Sequence, residues 1–180
     1  MSNGTSDKTS VVIAIDGRCA SGKSTFAAQL AQRYHWNLIH MDDFFPRPEQ
    51  RTSARLSQPG GNVDYERVRG EVLEPLRMGK TVCYQPFDCH SMLLQSPVTL
   101  PRRRVTLIEG SYACHPELWN FYDLRVFLTV APDVQAERIL HRNGSAYAQI
   151  FRERWIPMEE DYFSAYGIEQ RCDAVLERVF

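Results

Sequence analysis

Val11-Val12-Ile13-Ala14-Ile15-Asp16-Gly17-Arg18-Cys19-Ala20-Ser21-Gly22-Lys23-Ser24 is the stretch whose reading decides the fold. Its first five residues form a short apolar run rich in β-branched side chains, the pattern of a buried strand. From Gly17 to Ser24 the chain fits G-x-x-x-x-G-K-[ST] at every fixed position. That spacing wraps backbone around a polyphosphate. Glycine permits the close approach and unusual dihedrals, and successive N–H groups and the next helix start face the anion. Gly17, Ala20, Ser21, Gly22, Lys23, Ser24 and Thr25 form the candidate phosphate-binding set. Lys23 is expected to reach the β/γ-phosphates, and Ser24 to offer its hydroxyl to Mg²⁺. Cys19, inside the loop, reads as a small residue at a free position.

Outward from this loop, helical and strand patterns alternate. Phe26, Leu30 and Ala31 share one helical face, Leu38-Ile39 suggests a second strand, and the Pro-, Gly-, Ser- and Arg-rich residues 45–63 read as a loop over a site. A helix is expected over 65–78, strained by Pro75 in its last turn. A short strand follows at 81–84, then an irregular stretch over 85–104. Strands are expected at 105–108 and 125–130, helices from Asp133 and over about 146–166, and a last strand at 174–176. Such alternation predicts an α/β fold with a mainly parallel sheet covered on both faces, and taken with the phosphate-loop motif it leads to the expectation of a three-layer α/β/α P-loop NTPase fold.

The 180 residues suffice for one domain, expected over 10–180, with residues 1–9 as a polar, disordered tail. Lys and Arg number 21 against 22 Asp and Glu, which removes the basic footprint of a general nucleic-acid binder. No apolar run approaches the roughly 20 residues that span a bilayer. The five cysteines are odd in number and widely spaced, without C-x-x-C, so reduced thiols and a cytoplasmic setting are expected. Cys89-His90 and Cys114-His115 fit no standard zinc spacing. Arg102-Arg103-Arg104 reads as a solvated lead-in to a strand, and Trp155, Tyr162, Phe163 and Tyr166 as core packing. The expected partner is a small-molecule acceptor rather than nucleic acid or membrane, and a homo-oligomer is left open.

Carboxylates decide what a phosphate loop does. Asp42 and Asp43 follow the second predicted strand, and Glu109 ends the strand at 105–108. In open α/β sheets, ligands gather at the carboxyl ends of strands. Asp42 is placed as the base that orients and deprotonates an acceptor hydroxyl, with Asp43 its rival. Glu109 stands where an acid helps hold Mg²⁺ through water. Arg138 and Arg142, four apart on one helical face before Asn143-Gly144-Ser145, which is expected to break the helix, suit a phosphoryl group. Arg152 and Arg154 are weaker candidates.

These residues resemble the uridine kinase/phosphoribulokinase-like branch of P-loop kinases over roughly residues 11–176. The resemblance rests on the phosphate loop, Met41-Asp42-Asp43-Phe44-Phe45, Asn62-Val63-Asp64-Tyr65, Phe87-Asp88-Cys89-His90-Ser91, Ile108-Glu109-Gly110 and Asp123-Leu124-Arg125-Val126-Phe127-Leu128. The Asp-Asp-Phe-Phe form is similar to nicotinamide riboside kinases, and the Asn-x-Asp and Phe-Asp…His-Ser segments to uridine kinases. The resemblance implies ATP and Mg²⁺ as cofactors and Asp42, with Lys23 and Arg142, as the catalytic group. It also implies a short lid whose Arg138 meets the nucleotide, and Phe44, Asp64, Phe87 and His90 at the substrate. The acceptor so implied is a nucleoside (uridine or cytidine) or other riboside. A non-nucleoside alcohol, such as a sugar or a pantothenate-like molecule, is the alternative. A nucleotide-binding regulator without phosphotransfer and a hydrolase are the rivals from other classes.

Overall fold

The computed structural model of the protein describes residues 10–177. The tail expected over residues 1–9 therefore lies outside the described residues. Strand β1 (Val11–Gly17) leads through the glycine loop into α1 (Lys23–Tyr34), and β2 (Asn37–His40) follows. The next stretch holds α2 (Ser53–Leu56), α3 (Tyr65–Arg67) and α4 (Glu74–Arg77), then β3 (Val82–Tyr84), β4 (Phe87–Asp88), β5 (Leu93–Leu94) and β6 (Val98–Leu100). The chain continues through β7 (Val105–Glu109), β8 (Leu124–Thr129), α5 (Pro132–Ile150), α6 (Ile156–Tyr166), α7 (Ile168–Arg171) and β9 (Ala174–Glu177).

Five strands make a parallel sheet in the order β2-β7-β1-β8-β9. Its two faces bury alternate side chains, as the pleat requires. Val12, Ala14, Ile108 and Phe127 enter one apolar cluster, with Val68, Val72 and Tyr162 from the covering helices. Ile15, Leu107, Val126 and Leu128 enter the other, against Ala27, Phe26 and Leu30 of α1. The expected α/β/α layering is thus present. In register, Ile15 opposes Glu109, and Glu109 opposes His40. The carboxyl ends of β1, β2 and β7 therefore converge beneath the phosphate loop.

Two prolines shape the helices. The expected helix over 65–78 runs as α3, a π-helical segment Val68–Leu73, and α4. Pro75 has no N–H to donate and its ring crowds the carbonyl four residues back, and the wider π segment ahead of it absorbs both defects. The same device recurs at Phe151–Trp155, ahead of Pro157. The break expected near 143–145 is a kink within α5 at Gly144, with φ 76° and ψ 171°.

The expectation for 81–104 is corrected in two ways. β3 does not join the main sheet but pairs antiparallel with β6. The stretch 85–104 is not irregular throughout, since β4 pairs with β5 and β6 pairs with β3. Strands this short, with Leu93 and Leu94 exposed, leave no periodic signal to read. Among the described residues, no helix is long and apolar enough to cross a membrane.

Candidate active site

The phosphate loop is shaped by backbone constraints that only small residues meet. Gly17 has φ +131°, and a Cβ there would lie 2.0 Å from the Leu128 carbonyl oxygen. The loop closes at Gly22, φ 90°, which starts α1. Lys23 is buried and donates to the carbonyls of Gly17 (2.6 Å) and Arg18 (2.9 Å). Its ammonium is thereby held across the loop mouth. The Ser21 hydroxyl is buried without a hydrogen-bond partner.

Distant helices fasten this loop. Arg18 donates to Glu160 at 2.8 Å, to Glu169 at 3.1 Å and to Thr129 at 2.8 Å. The Cys19 N–H donates to Glu159 Oε2 (2.9 Å), and the Ser111 hydroxyl to Glu159 Oε1 (2.5 Å). Gln135 donates to the Cys19 carbonyl (3.0 Å), and Arg138 to that of Ala20 (3.2 Å). Beneath the loop, fully buried Asp16 accepts from the N–H groups of Gly17 (2.7 Å) and Cys114 (2.8 Å) and from the Tyr162 hydroxyl (2.9 Å). Burial pushes its carboxyl up to about 6, against those hydrogen bonds and the Lys23 charge.

A second polar chain runs along the strand ends. The Ser24 hydroxyl donates to Glu109 Oε2 at 3.2 Å, and His40 Nδ1 lies 2.5 Å from Glu109 Oε1. Glu109 is buried, and its hydrogen bond raises His40 above the ordinary histidine value despite opposing desolvation. A hydroxyl and a carboxylate side by side are hard oxygen donors that fit Mg²⁺. Among the described residues no three His, Cys, Asp or Glu side chains cluster as metal ligands, so phosphate oxygens and water would complete its shell.

Asp42 and Asp43 share the 3₁₀ turn Met41–Phe44 that follows β2. Gly110, φ +135°, lets this turn approach, since a Cβ there would meet Met41 Cβ at 2.8 Å. Asp43 accepts from the Tyr84 hydroxyl at 3.0 Å. Asp42 instead lines a cavity of about 710 Å³. Burial raises its carboxyl above the ordinary aspartate value, and Glu109 adds to this, while Lys23 and His40 oppose it.

Ala20, Gly22, Lys23, Ser24 and Thr25 also line this cavity, as do Glu109, Arg138 and Arg142. Arg142 additionally donates to Asn143 at 2.8 Å and lies 5.8 Å from the Phe151 ring. Gly17 and Ser21 sit behind this wall rather than on it: one supplies a carbonyl to Lys23, and the other is buried.

The four expected substrate residues do not join it. Asp64 is 0% exposed and caps α3, accepting from the Arg67 N–H at 3.2 Å, with Arg47 3.5 Å away. The cap engages Oδ1 of the carboxylate that the resemblance assigns to sugar hydroxyls, while among the described residues its buried Oδ2 has no hydrogen bond and faces Arg47. Phe87 is buried on β4, and Phe44 is buried against Tyr84 at 5.1 Å. Each is the ordinary fate of an aromatic beside a strand. His90 is exposed in the turn after β4, its N–H held by Asp88 at 2.9 Å. Its neighbours Cys89 and Met92 line the cavity in its place. Arg152 and Arg154 are exposed and off the wall, Arg154 lying over Trp155 at 4.6 Å.

Several wall and support residues were not marked by sequence reasoning. Asp16 carried a signal, an acid ending an apolar strand directly before the motif. Glu159 carried none, because its partner Cys19 is 140 residues away. Arg51 and Tyr112 also line the cavity from loops without periodicity.

No family model matches the chain. Solved structures do. A possible uridine kinase from Bacillus stearothermophilus superposes with TM-score 0.69 and 22% identity, over 94% of this chain and 89% of that one. Phosphoribulokinase from Rhodobacter spheroides gives TM-score 0.63 and 11% identity, over 94% and 70%. D-glycerate 3-kinase from Cryptococcus neoformans gives 0.59 and 14%, over 86% and 80%. The chain therefore shares its fold with these kinase structures.

Proposed function

We propose that the protein is an ATP- and Mg²⁺-dependent kinase that phosphorylates a hydroxyl of a small molecule. One observation carries this reading. Asp42 shares a cavity wall with the phosphate loop and the Ser24–Glu109 pair, while Arg138 and Arg142 face the same space. A regulator or switch has no use for a partly desolvated carboxylate there.

The roles follow from the chemistry of each group. Loop N–H groups bind the phosphates, and Lys23 exchanges two carbonyl contacts for phosphate oxygens. Ser24 and Glu109 would hold Mg²⁺, which supplies charge neutralisation on the phosphate oxygens when bound. Asp42 orients the acceptor hydroxyl and takes its proton, and its raised affinity for a proton suits it to that task. Arg138 and Arg142 offer permanent charge to the transferred phosphoryl.

Nucleosides and other ribosides head the acceptor classes on sequence resemblance. A second reading, a non-nucleoside alcohol, is favoured by a specific observation: Asp64 and Phe87 are buried away from the cavity wall. A screen of nucleosides, ribosides, sugars and hydroxy acids, scored by ADP formation above the acceptor-free background, tests both. ADP release without acceptor would indicate a hydrolase. Nucleotide binding without product from any acceptor would indicate a regulator.

A further inference from the structure

Six arginines lie between residues 47 and 77, and five of them have carboxylate partners. Arg47 pairs with Glu49, Arg55 with Glu66, Arg67 with Glu71, Arg69 with Glu74 and Arg77 with Asp123. Arg51 is the exception. Among the described residues, its guanidinium makes no ion pair or hydrogen bond. It is also the member of this set that lines the active-site cavity, where it is half-buried.

Asp42 and Cys89 line the same cavity as Arg51. The phosphate loop is served separately, by Lys23 on the Gly17 and Arg18 carbonyls and by Arg138 on that of Ala20. Arg51 is therefore a cation of the same cavity that takes no part in those loop contacts. A guanidinium cannot shed its charge, and half-buried without a counter-ion it is a ready site for a carboxylate or phosphate. Asn62, buried, adds a neutral amide to the same cavity lining.

We infer that the acceptor carries, besides the hydroxyl presented to Asp42, an anionic group that Arg51 binds. This rests on the kinase reading and narrows it to hydroxy acids or phosphorylated polyols. Uncharged nucleosides lack the required group.

The test titrates four probes into the ADP-Mg²⁺-loaded protein by calorimetry: D-glycerate, ribose 5-phosphate, glycerol and uridine. Wild type, Arg51→Gln and Arg51→Lys are compared. Arg51 has no internal partner to strand, so both variants should keep the parent's circular dichroism and melting temperature. At least one anionic probe should bind wild type, weaken roughly tenfold to a hundredfold in Arg51→Gln, and fall between in Arg51→Lys. Whether D-glycerate or ribose 5-phosphate shows this separates carboxylate from phosphate. The neutral probes should not distinguish the variants. Failure of both anionic probes to bind wild type, or equal binding to Arg51→Gln, overturns the inference. So does a loss confined to kcat with acceptor KM unchanged, which would put Arg51 on the transferred phosphoryl. Arg51-dependent binding without acceptor-dependent ADP formation would defeat the kinase reading while leaving the anion subsite standing.

Discussion

The Tyr84 hydroxyl donates to Asp43 Oδ2 at 3.0 Å, and this bond from outside the main sheet distinguishes two adjacent aspartates. Asp43 is committed to Tyr84, while Asp42 faces the cavity. Asp42→Asn should lower acceptor-dependent turnover by about 10² to 10⁴-fold with ATP affinity kept. Asp43→Asn should keep the rate within a few-fold and cost about 1 kcal/mol of stability through the weakened Tyr84 bond. A steady-state assay beside urea denaturation distinguishes the pair, and equal loss of rate in both variants would remove Asp42 from its role.

The same carboxyl sets a pH dependence. Burial and Glu109 raise Asp42, and the base must be ionised to accept a proton. The rate should therefore fall on acidification, with its acid limb displaced above the ordinary aspartate value of about 3.9. A pH profile of kcat/KM that stays flat down to that value would contradict the assignment.

Glu109 joins the Ser24 hydroxyl to the His40 ring. Glu109→Gln keeps the shape and removes the charge. The Mg²⁺ concentration giving half-maximal rate should rise roughly tenfold or more. An unchanged Mg²⁺ requirement would show that this pair does not serve the cation.

His115 is buried and stacks on Tyr65 at 4.4 Å, and desolvation, aided by the Arg55 charge, lowers its pKa to about 4. The unfolded chain, at an ordinary 6.5, binds the proton first. Stability is therefore fully present above 6.5 and is lost as pH falls toward about 4. About 3 kcal/mol is at stake across that window. Asp16, raised to about 6, works in the opposite sense, so the variant comparison is what isolates the histidine. His115→Phe should flatten the acid fall measured by urea denaturation. A parallel curve in the variant would refute this.

Gly17 should tolerate no side chain. An added Cβ would meet the Leu128 carbonyl oxygen at 2.0 Å, at a φ of +131° that suits glycine alone. Gly17→Ala should cost more than about 3 kcal/mol, read as a lower urea midpoint or an absence of folded protein. A variant as stable as the parent would mean the strand can shift at that point.

The sequence alone determined the phosphate loop, the parallel sheet, the acids at the ends of β2 and β7, and the kink in α5 at Gly144. Each is written in neighbouring residues: a contiguous motif, a short β-branched apolar run, or a glycine where the helix must kink. Tertiary structure alone decided which aspartate faces the cavity, that Asp64 caps a helix, and that Arg51 lacks a counter-ion. It also decided that Glu159 reaches across 140 residues to hold the Cys19 N–H. Those facts depend on which chain segments pack together, and a polar side chain carries no mark of the partner that folding will bring to it.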